Sequence, residues 1–369
     1  MFHHVARSRS LLGRQLPRWQ RCFSQGAARQ ASDPLRILFC GSDEFSCASL
    51  KAVYEEHGRN KSLIESLDVM VLPPKRTGRG FKTLREVPCK LFAEELGLRT
   101  HQRETFTKWE LPEATNLVIA VSFGLFVPPR ILRSAKYGGL NVHPSLLPDL
   151  RGPAPIHHAI LRKYEHTGVS LQTLDDKAFD HGTVLAQTPR PGIPIPPGCT
   201  VQELTSLLAP TGAQMLVQGL RDGLHVPPRH NAAWKAEELD GETLAHAPKV
   251  TKADGRVNWA EWTAEEFVRR ISVLGSVWTH AANGKGEVKR LIFQDAEVAS
   301  IDDLTILGGE IKFIGAGVEG ASYEALFSGQ SDGSCIIRTS NSGIIRVKKV
   351  KEEGKQERDA TMVLKAFMS

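Results

Sequence analysis

The run Leu117-Val118-Ile119-Ala120-Val121 carries five apolar residues with no polar one between them, the pattern of a strand buried on both faces rather than on one. Two neighbouring runs share its texture. Leu35-Arg36-Ile37-Leu38-Phe39-Cys40 precedes a Gly41-Ser42-Asp43 turn, and Leu67 to Leu72 forms a third run. Helical periodicity fills the gaps, with Phe45 to Tyr54 and Leu84 to Leu96 as candidates. Strands alternating with helices predict an α/β domain with a doubly wound parallel sheet, in which ligands bind outside the carboxyl ends of the strands. Ser122-Phe123-Gly124-Leu125-Phe126-Val127-Pro128 lies at such an end. Gly41-Ser42-Asp43 lacks the G-x-G-x-x-G spacing, so nicotinamide chemistry has no support.

Composition bounds the rest. A chain of 369 residues with 41% hydrophobic and 24% charged residues is ordinary for a globular protein and has room for two domains. No apolar run approaches the roughly 20 residues needed to cross a bilayer. The six cysteines show no CxxC spacing, which argues against a disulfide framework. His157, His158, His166 and His181 share no ligand-like spacing, so no metal site is expected. The net charge of +6 is unevenly placed: residues 1–32 hold six arginines, no lysine and no acid. Without them 41 Lys and Arg face 41 Asp and Glu. An Arg-rich, acid-free start predicts a mitochondrial presequence over residues 1–32 and a matrix location.

Asn141-Val142-His143-Pro144-Ser145-Leu146-Leu147-Pro148-Asp149-Leu150-Arg151-Gly152 follows a further apolar run. In extended backbone alternate side chains face the same way, so Asn141, His143 and Ser145 are expected to point into one cleft. An amide and an imidazolium suit attack on a carbonyl carbon, where both can donate to the oxygen that becomes negative. Read alone, Asn-x-His could simply end a strand and cap a turn. The whole string resembles the signature of the folate-dependent formyltransferases, Asn-x-His-x-Ser-Leu-Leu-Pro followed by Arg-Gly. Two positions depart from it: Leu150 stands where a large aromatic is usual, and Asp149 where a basic residue is common.

That resemblance implies a Rossmann-like formyltransferase domain followed by a small OB-like β-barrel. It implies catalytic Asn141, His143 and Asp180, the last opening the Asp-x-Gly that ends the string Asp175 to Gly182; without the signature Asp180 would read as a turn residue. It further implies a folate site at Phe123, Gly124, Leu125, Ser145, Leu146, Leu147, Pro148, Asp176 and Phe179. The expected co-substrate is 10-formyltetrahydrofolate, the acceptor is methionyl-tRNA, and no metal takes part. A formyltransferase acting on a small amine, or a non-catalytic RNA-binding protein on the same scaffold, are the alternatives. A monomer with no membrane association is expected.

The stretch Pro73 to Arg85 carries five basic residues and no acid in thirteen positions, with Pro and Gly expected to keep it out of regular structure. A solvated loop, a phosphate cradle and an RNA contact compete on composition. The tRNA-acting formyltransferases have a basic loop here, which implies contacts from Lys75, Arg76, Arg79, Lys82 and Arg85. Residues 33–222 are expected as the catalytic domain, 223–248 as a linker and 249–369 as the C-terminal, tRNA-binding domain. In the last, Ala264 to Leu274 is a helical candidate, followed by short strands at Leu291 to Phe293, Ile311 to Ile314, Cys335 to Arg338 and 343–351. Lys285, Lys289, Arg290, Arg346, Lys348, Lys349, Lys351 and Lys355 could form a nucleic-acid face or a solvated exterior.

Overall fold

The computed structural model describes residues 32–77, 82–238, 244–300, 302, 309–314, 322–338 and 343–368. Residues 1–31 of the presequence expected over 1–32, and Arg79 of the basic loop, therefore lie outside the described residues. The first half of the chain runs β1 (Leu35–Gly41), α1 (Glu44–Arg59), β2 (Ile64–Val71), β3 (Lys75–Thr77), β4 (Thr83–Arg85), α2 (Pro88–Glu95), β5 (Thr100–Gln102), β6 (Leu117–Val121), α3 (Pro129–Ser134) and β7 (Gly139–His143). It continues through α4 (Pro155–Leu161), β8 (His166–Thr167), β9 (Ser170–Thr173), β10 (Val184–Gln187), β11 (Ile193–Pro194), α5 (Val201–Arg221) and α6 (Trp234–Glu238).

Seven of these strands form one sheet in the order β10-β9-β7-β6-β1-β2-β5. β5, β2, β1, β6 and β7 are parallel, while β9 and β10 add an antiparallel edge beyond the parallel sheet expected. The apolar runs are buried on both faces as their composition requires. Leu35, Ile37, Phe39, Leu117, Ile119 and Val121 pack with α1 and α5, while Leu38, Cys40, Val118 and Ala120 pack under Phe106, Trp109 and Ile131. Glu56 of α1, 3% exposed, accepts from Arg221 Nε of α5 at 3.0 Å, which ties the two helices. The strand order reverses between β1 and β6, and that is where a ligand crevice opens.

Two expectations change near residue 80. Lys75–Thr77 and Thr83–Arg85 pair as a short antiparallel hairpin, Lys75 opposite Arg85, where irregular chain was expected. Helix α2 consequently starts at Pro88 rather than Leu84, with proline in its first turn.

The C-terminal part contains α7 (Ala264–Leu274), β12 (Val277–Ala282), β13 (Val288–Ala299), β14 (Gly309–Ile314), β15 (Ser322–Gly329), β16 (Cys335–Arg338), β17 (Ile344–Glu352), β18 (Arg358–Asp359) and α8 (Ala360–Leu364). Its sheet runs β13-β12-β14-β15-β16-β17, and β17 pairs back onto β13 so that it closes as an antiparallel barrel. Closure removes the free edges that an open sheet would expose. Trp259 fills the middle, stacked on Phe313 at 4.2 Å with its Nε1 donating to Thr279 Oγ1 at 3.1 Å. α7 is capped by Thr263 and ends at Gly275 with φ of 75°, a left-handed C-cap. Its Val273 is buried in the core of the first domain.

Candidate functional site

β7 carries Asn141 and His143 to the end of the sheet beside β9, with Asn141 opposite Gln172. The Asp180 carboxylate sits between them. Its Oδ1 accepts from Asn141 Nδ2 at 3.1 Å and Gln172 Nε2 at 2.9 Å, and Oδ2 accepts from the Gly152 amide at 3.0 Å. His143 Nδ1 lies 3.4 Å from Oδ1, with the two side chains 6% and 9% exposed. His143 Nε2 faces the Leu150 carbonyl at 3.0 Å. The imidazole is thus flanked by two acceptors, one at each ring nitrogen, which fix the orientation of the ring.

Local backbone explains why the carboxylate is there. Asp180 has φ of +58°, a left-handed conformation that Asp tolerates better than most residues. A Cβ on Gly182 would stand 1.7 Å from the Thr173 carbonyl oxygen, so this turn can hug β9 only with glycine there. Arg151 Nε donates to the Asp180 carbonyl at 2.8 Å and closes the turn from the other side.

The three residues form one wall of a cavity of about 1130 Å³ that reaches from the β1–β6 crevice to the C-terminal end of α7. Of the residues expected to bind folate, Phe123, Gly124, Leu125 and Phe179 line it. Phe126 lies edge-on to Phe179 at 5.2 Å and completes an aromatic corner. Five other expected folate residues do not reach the cavity. β7 ends at His143 and the chain turns, with the Ser145 amide bonding back to the His143 carbonyl at 2.9 Å. Ser145 is therefore turned into the protein, its Oγ donating to the Asp149 carbonyl at 2.7 Å. Leu146 and Leu147 are buried, and Leu147 lines with Pro148 a separate hollow behind Asp180. Asp176 pairs with Arg133 at 2.9 Å on the surface.

Several residues lining the site were not singled out from sequence. Gln172 is 1% exposed and its Oε1 has no partner; a lone amide inside the buried strand Ser170–Thr173 was the available signal. Asp43 caps α1 by accepting from Ser46 N at 3.0 Å, and burial raises its carboxyl above the usual range. His157, on α4 and lining the cavity, has its imidazole held below the usual value, chiefly by burial and secondarily by His158.

Lys75, Arg76, Lys82 and Arg85 are exposed on the β3–β4 hairpin. The barrel cations are mostly matched: Lys348 with Glu297 at 2.8 Å, Lys349 with Asp359 at 2.6 Å, and Lys355 with Glu352 at 2.6 Å. Lys289 meets Glu287 and Arg290 meets Glu353, at 3.2 and 3.5 Å. Among the described residues no group of three or more His, Cys, Asp or Glu could hold a metal ion, and no helix is long and apolar enough to cross a membrane.

Residues 35–220 match the profile described as formyl transferase, and the chain belongs to that family. Within it, the chain is similar to the mitochondrial methionyl-tRNA formyltransferase of Saccharomyces cerevisiae, 32% identical over 314 residues, covering 72% of this chain and 76% of that protein. The Bos taurus mitochondrial methionyl-tRNA formyltransferase is 31% identical over 263 residues, covering 71% of this chain and 62% of its own. The Acidothermus cellulolyticus methionyl-tRNA formyltransferase is 31% identical over 297 residues, covering 76% and 84%. The matches to the bovine and mouse proteins span under two thirds of their lengths. A solved sugar 3N-formyl transferase superposes with a TM-score of 0.52 at 13% identity, covering 88% of this chain and all of that one, which shows the shared fold.

Proposed function

We propose that this protein transfers the formyl group of 10-formyltetrahydrofolate to the α-amine of methionyl-tRNA in the mitochondrial matrix, for translation initiation. The convergence of Asn141, His143 and Asp180 on one wall of the cavity carries this reading. The cavity suits a folate: Phe126 and Phe179 meet edge-on and offer an aromatic corner to a flat ring, with Gly124 and Leu125 lining the same cavity. The tRNA-acting names of the relatives support the acceptor. The six arginines before Asp33 and the mitochondrial names support import through residues 1–32.

The amide of Asn141 has two N–H bonds. One goes to Asp180 Oδ1, and the second is available to the formyl oxygen as it gains negative charge. The 3.4 Å contact from His143 Nδ1 to Asp180 is the longer of that ring's two, so Nδ1–H is the donor that turns toward the same oxygen. Asp180 holds both donors in place; as the amine bonds to the formyl carbon, the bond from that carbon to folate N10 breaks, and the proton the amine loses passes by way of Asp180 to the departing nitrogen. The barrel and hairpin hold the acceptor against the folate, which supplies the proximity term. We assign residues 33–222 to catalysis and 249–369 to acceptor binding. The test is formyl transfer to methionyl-tRNA by the chain from residue 33 onward, with glycinamide ribonucleotide as competing acceptor. Preference for the small amine would overturn the acceptor assignment.

A further inference from the structure

The two backbone groups that hold the His143–Asp180 pair belong to one loop. Leu150 O receives His143 Nε2, and Gly152 N donates to Asp180 Oδ2. Leu150 itself has φ of +56°, a left-handed conformation that costs free energy for a branched residue unless its surroundings enforce it. On its far side this loop is paired with Ala245–Ala247, at the end of the stretch read from sequence as a linker. The Leu150 amide donates to Ala245 O at 2.8 Å, the Ala247 amide to Arg151 O at 2.7 Å, and the Ala154 amide to Ala247 O at 3.1 Å. Leu150, Ala159 and Ala247 share a small apolar cluster. A Cβ on Gly152 would stand 2.5 Å from Ala247 O, so the approach requires glycine.

One bond in this set is made by a side chain. The Ala245 amide donates to Asp149 Oδ1 at 3.1 Å, and Asp149 is 5% exposed. Asp149 occupies the position where a basic residue is common in the family signature; a lysine or arginine could not accept that bond.

We propose that Ala245–Ala247 is a strap that sets the catalytic geometry of His143 and Asp180, and that Asp149 is the positioning residue that fastens it. The strap leads directly into the C-terminal domain, so the segment joining the domains is also part of the support of the site. The proposal rests on the formyl-transfer reading for its kinetic readout and on geometry alone for its structural one.

The test compares Asp149→Ala and Asp149→Asn in the full chain by steady-state kinetics and by amide hydrogen exchange. Asp149→Ala leaves the Ala245 amide without its acceptor, whereas Asn keeps an acceptor oxygen there. The expected result is faster exchange over residues 150–154 in the alanine variant. kcat should fall by up to about 10²-fold, the cost of small misplacement at a reacting centre, with KM for methionyl-tRNA and folate within twofold and both effects largely reversed by asparagine. Wild-type exchange, or fast exchange with wild-type kcat, would overturn the proposal. Failure of the wild-type chain to formylate methionyl-tRNA would instead remove the functional reading and leave exchange to judge the strap. Loss of protection in β1 as well would mark general unfolding; Asp149→Leu, which keeps the buried volume but gives the Ala245 amide no acceptor, then replaces Asp149→Ala under the same criteria.

Discussion

Four donors converge on the Asp180 carboxylate: the amides of Asn141 and Gln172, the Gly152 N–H and, at longer range, His143 Nδ1. Asn at 180 would set an NH2 group against at least one of them, so Asp180→Asn should lose activity and roughly 1–3 kcal/mol of stability through the unpaired donor. Full activity in that variant would return Asp180 to a turn role. Asn141→Ala and His143→Ala each remove one donor to the developing negative charge, and kcat should drop by on the order of 10² to 10³. Folate binding, measured by fluorescence titration, should change little, and near-wild-type turnover in either variant would sink the assignment. The Asn-His pair was legible because its alternation holds over the last residues of a strand. Ser145 was misplaced because that alternation ends at His143, where the chain turns. Gln172 escaped notice because its role depends on β9 lying beside β7, a pairing between residues some thirty positions apart that local pattern does not record.

At the scale of elements, the β3–β4 hairpin presents Lys75, Arg76, Lys82 and Arg85 in exposed positions, and among the described residues none of the four forms an ion pair. The barrel cations are different, since Lys289, Arg290, Arg346, Lys348, Lys349 and Lys355 each pair with a carboxylate. The Lys82→Ala, Arg85→Ala double variant should therefore raise KM for methionyl-tRNA. It should flatten the log-log salt dependence of binding by roughly 0.7–0.9 for each phosphate that the hairpin no longer neutralises. Folate affinity should stay at the wild-type value; equal salt slopes for wild type and variant would show that the hairpin is only solvated. Strands β1 and β6 and helix α7 were readable because burial on both faces, or on one helical face, leaves an unbroken local period. Strands β12 and β15 were not read: Thr279 and His280 interrupt the first, and Ser322, Glu324 and Ser328 the second. Barrel closure, not hydrophobic run length, makes these segments strands.

Across the whole molecule, stability should respond to mild acid through His225. This imidazole is 0% exposed, packs edge-on to Tyr137 at 5.0 Å and lies 2.8 Å from Ser32 Oγ through Nε2. Burial, helped by Arg229, pushes its pKa down to about 4. Between the unfolded value near 6.5 and that folded value, the unfolded chain binds a proton that the folded chain refuses. Stability is therefore complete above about pH 6.5, falls as pH drops through the window, and has lost roughly 3 kcal/mol from this group below pH 4. Thermal melts of wild type and His225→Phe from pH 7.5 to 4.5 check this: the variant should show the flatter dependence, and parallel curves would rule His225 out as the cause. By itself the sequence determined the α/β alternation, the Asn141–His143 pair and the acid-free, arginine-rich composition of residues 1–32, because each is written in residues close together along the chain. Only the tertiary structure decided that Asp180 would meet both donors and that the barrel would close through β13 and β17. The docking of Ala245–Ala247 behind the loop from Leu150 to Gly152 is of the same kind. Those contacts join residues tens of positions apart, and they exist only once burial of the apolar strands has brought the distant backbone groups within hydrogen-bond reach.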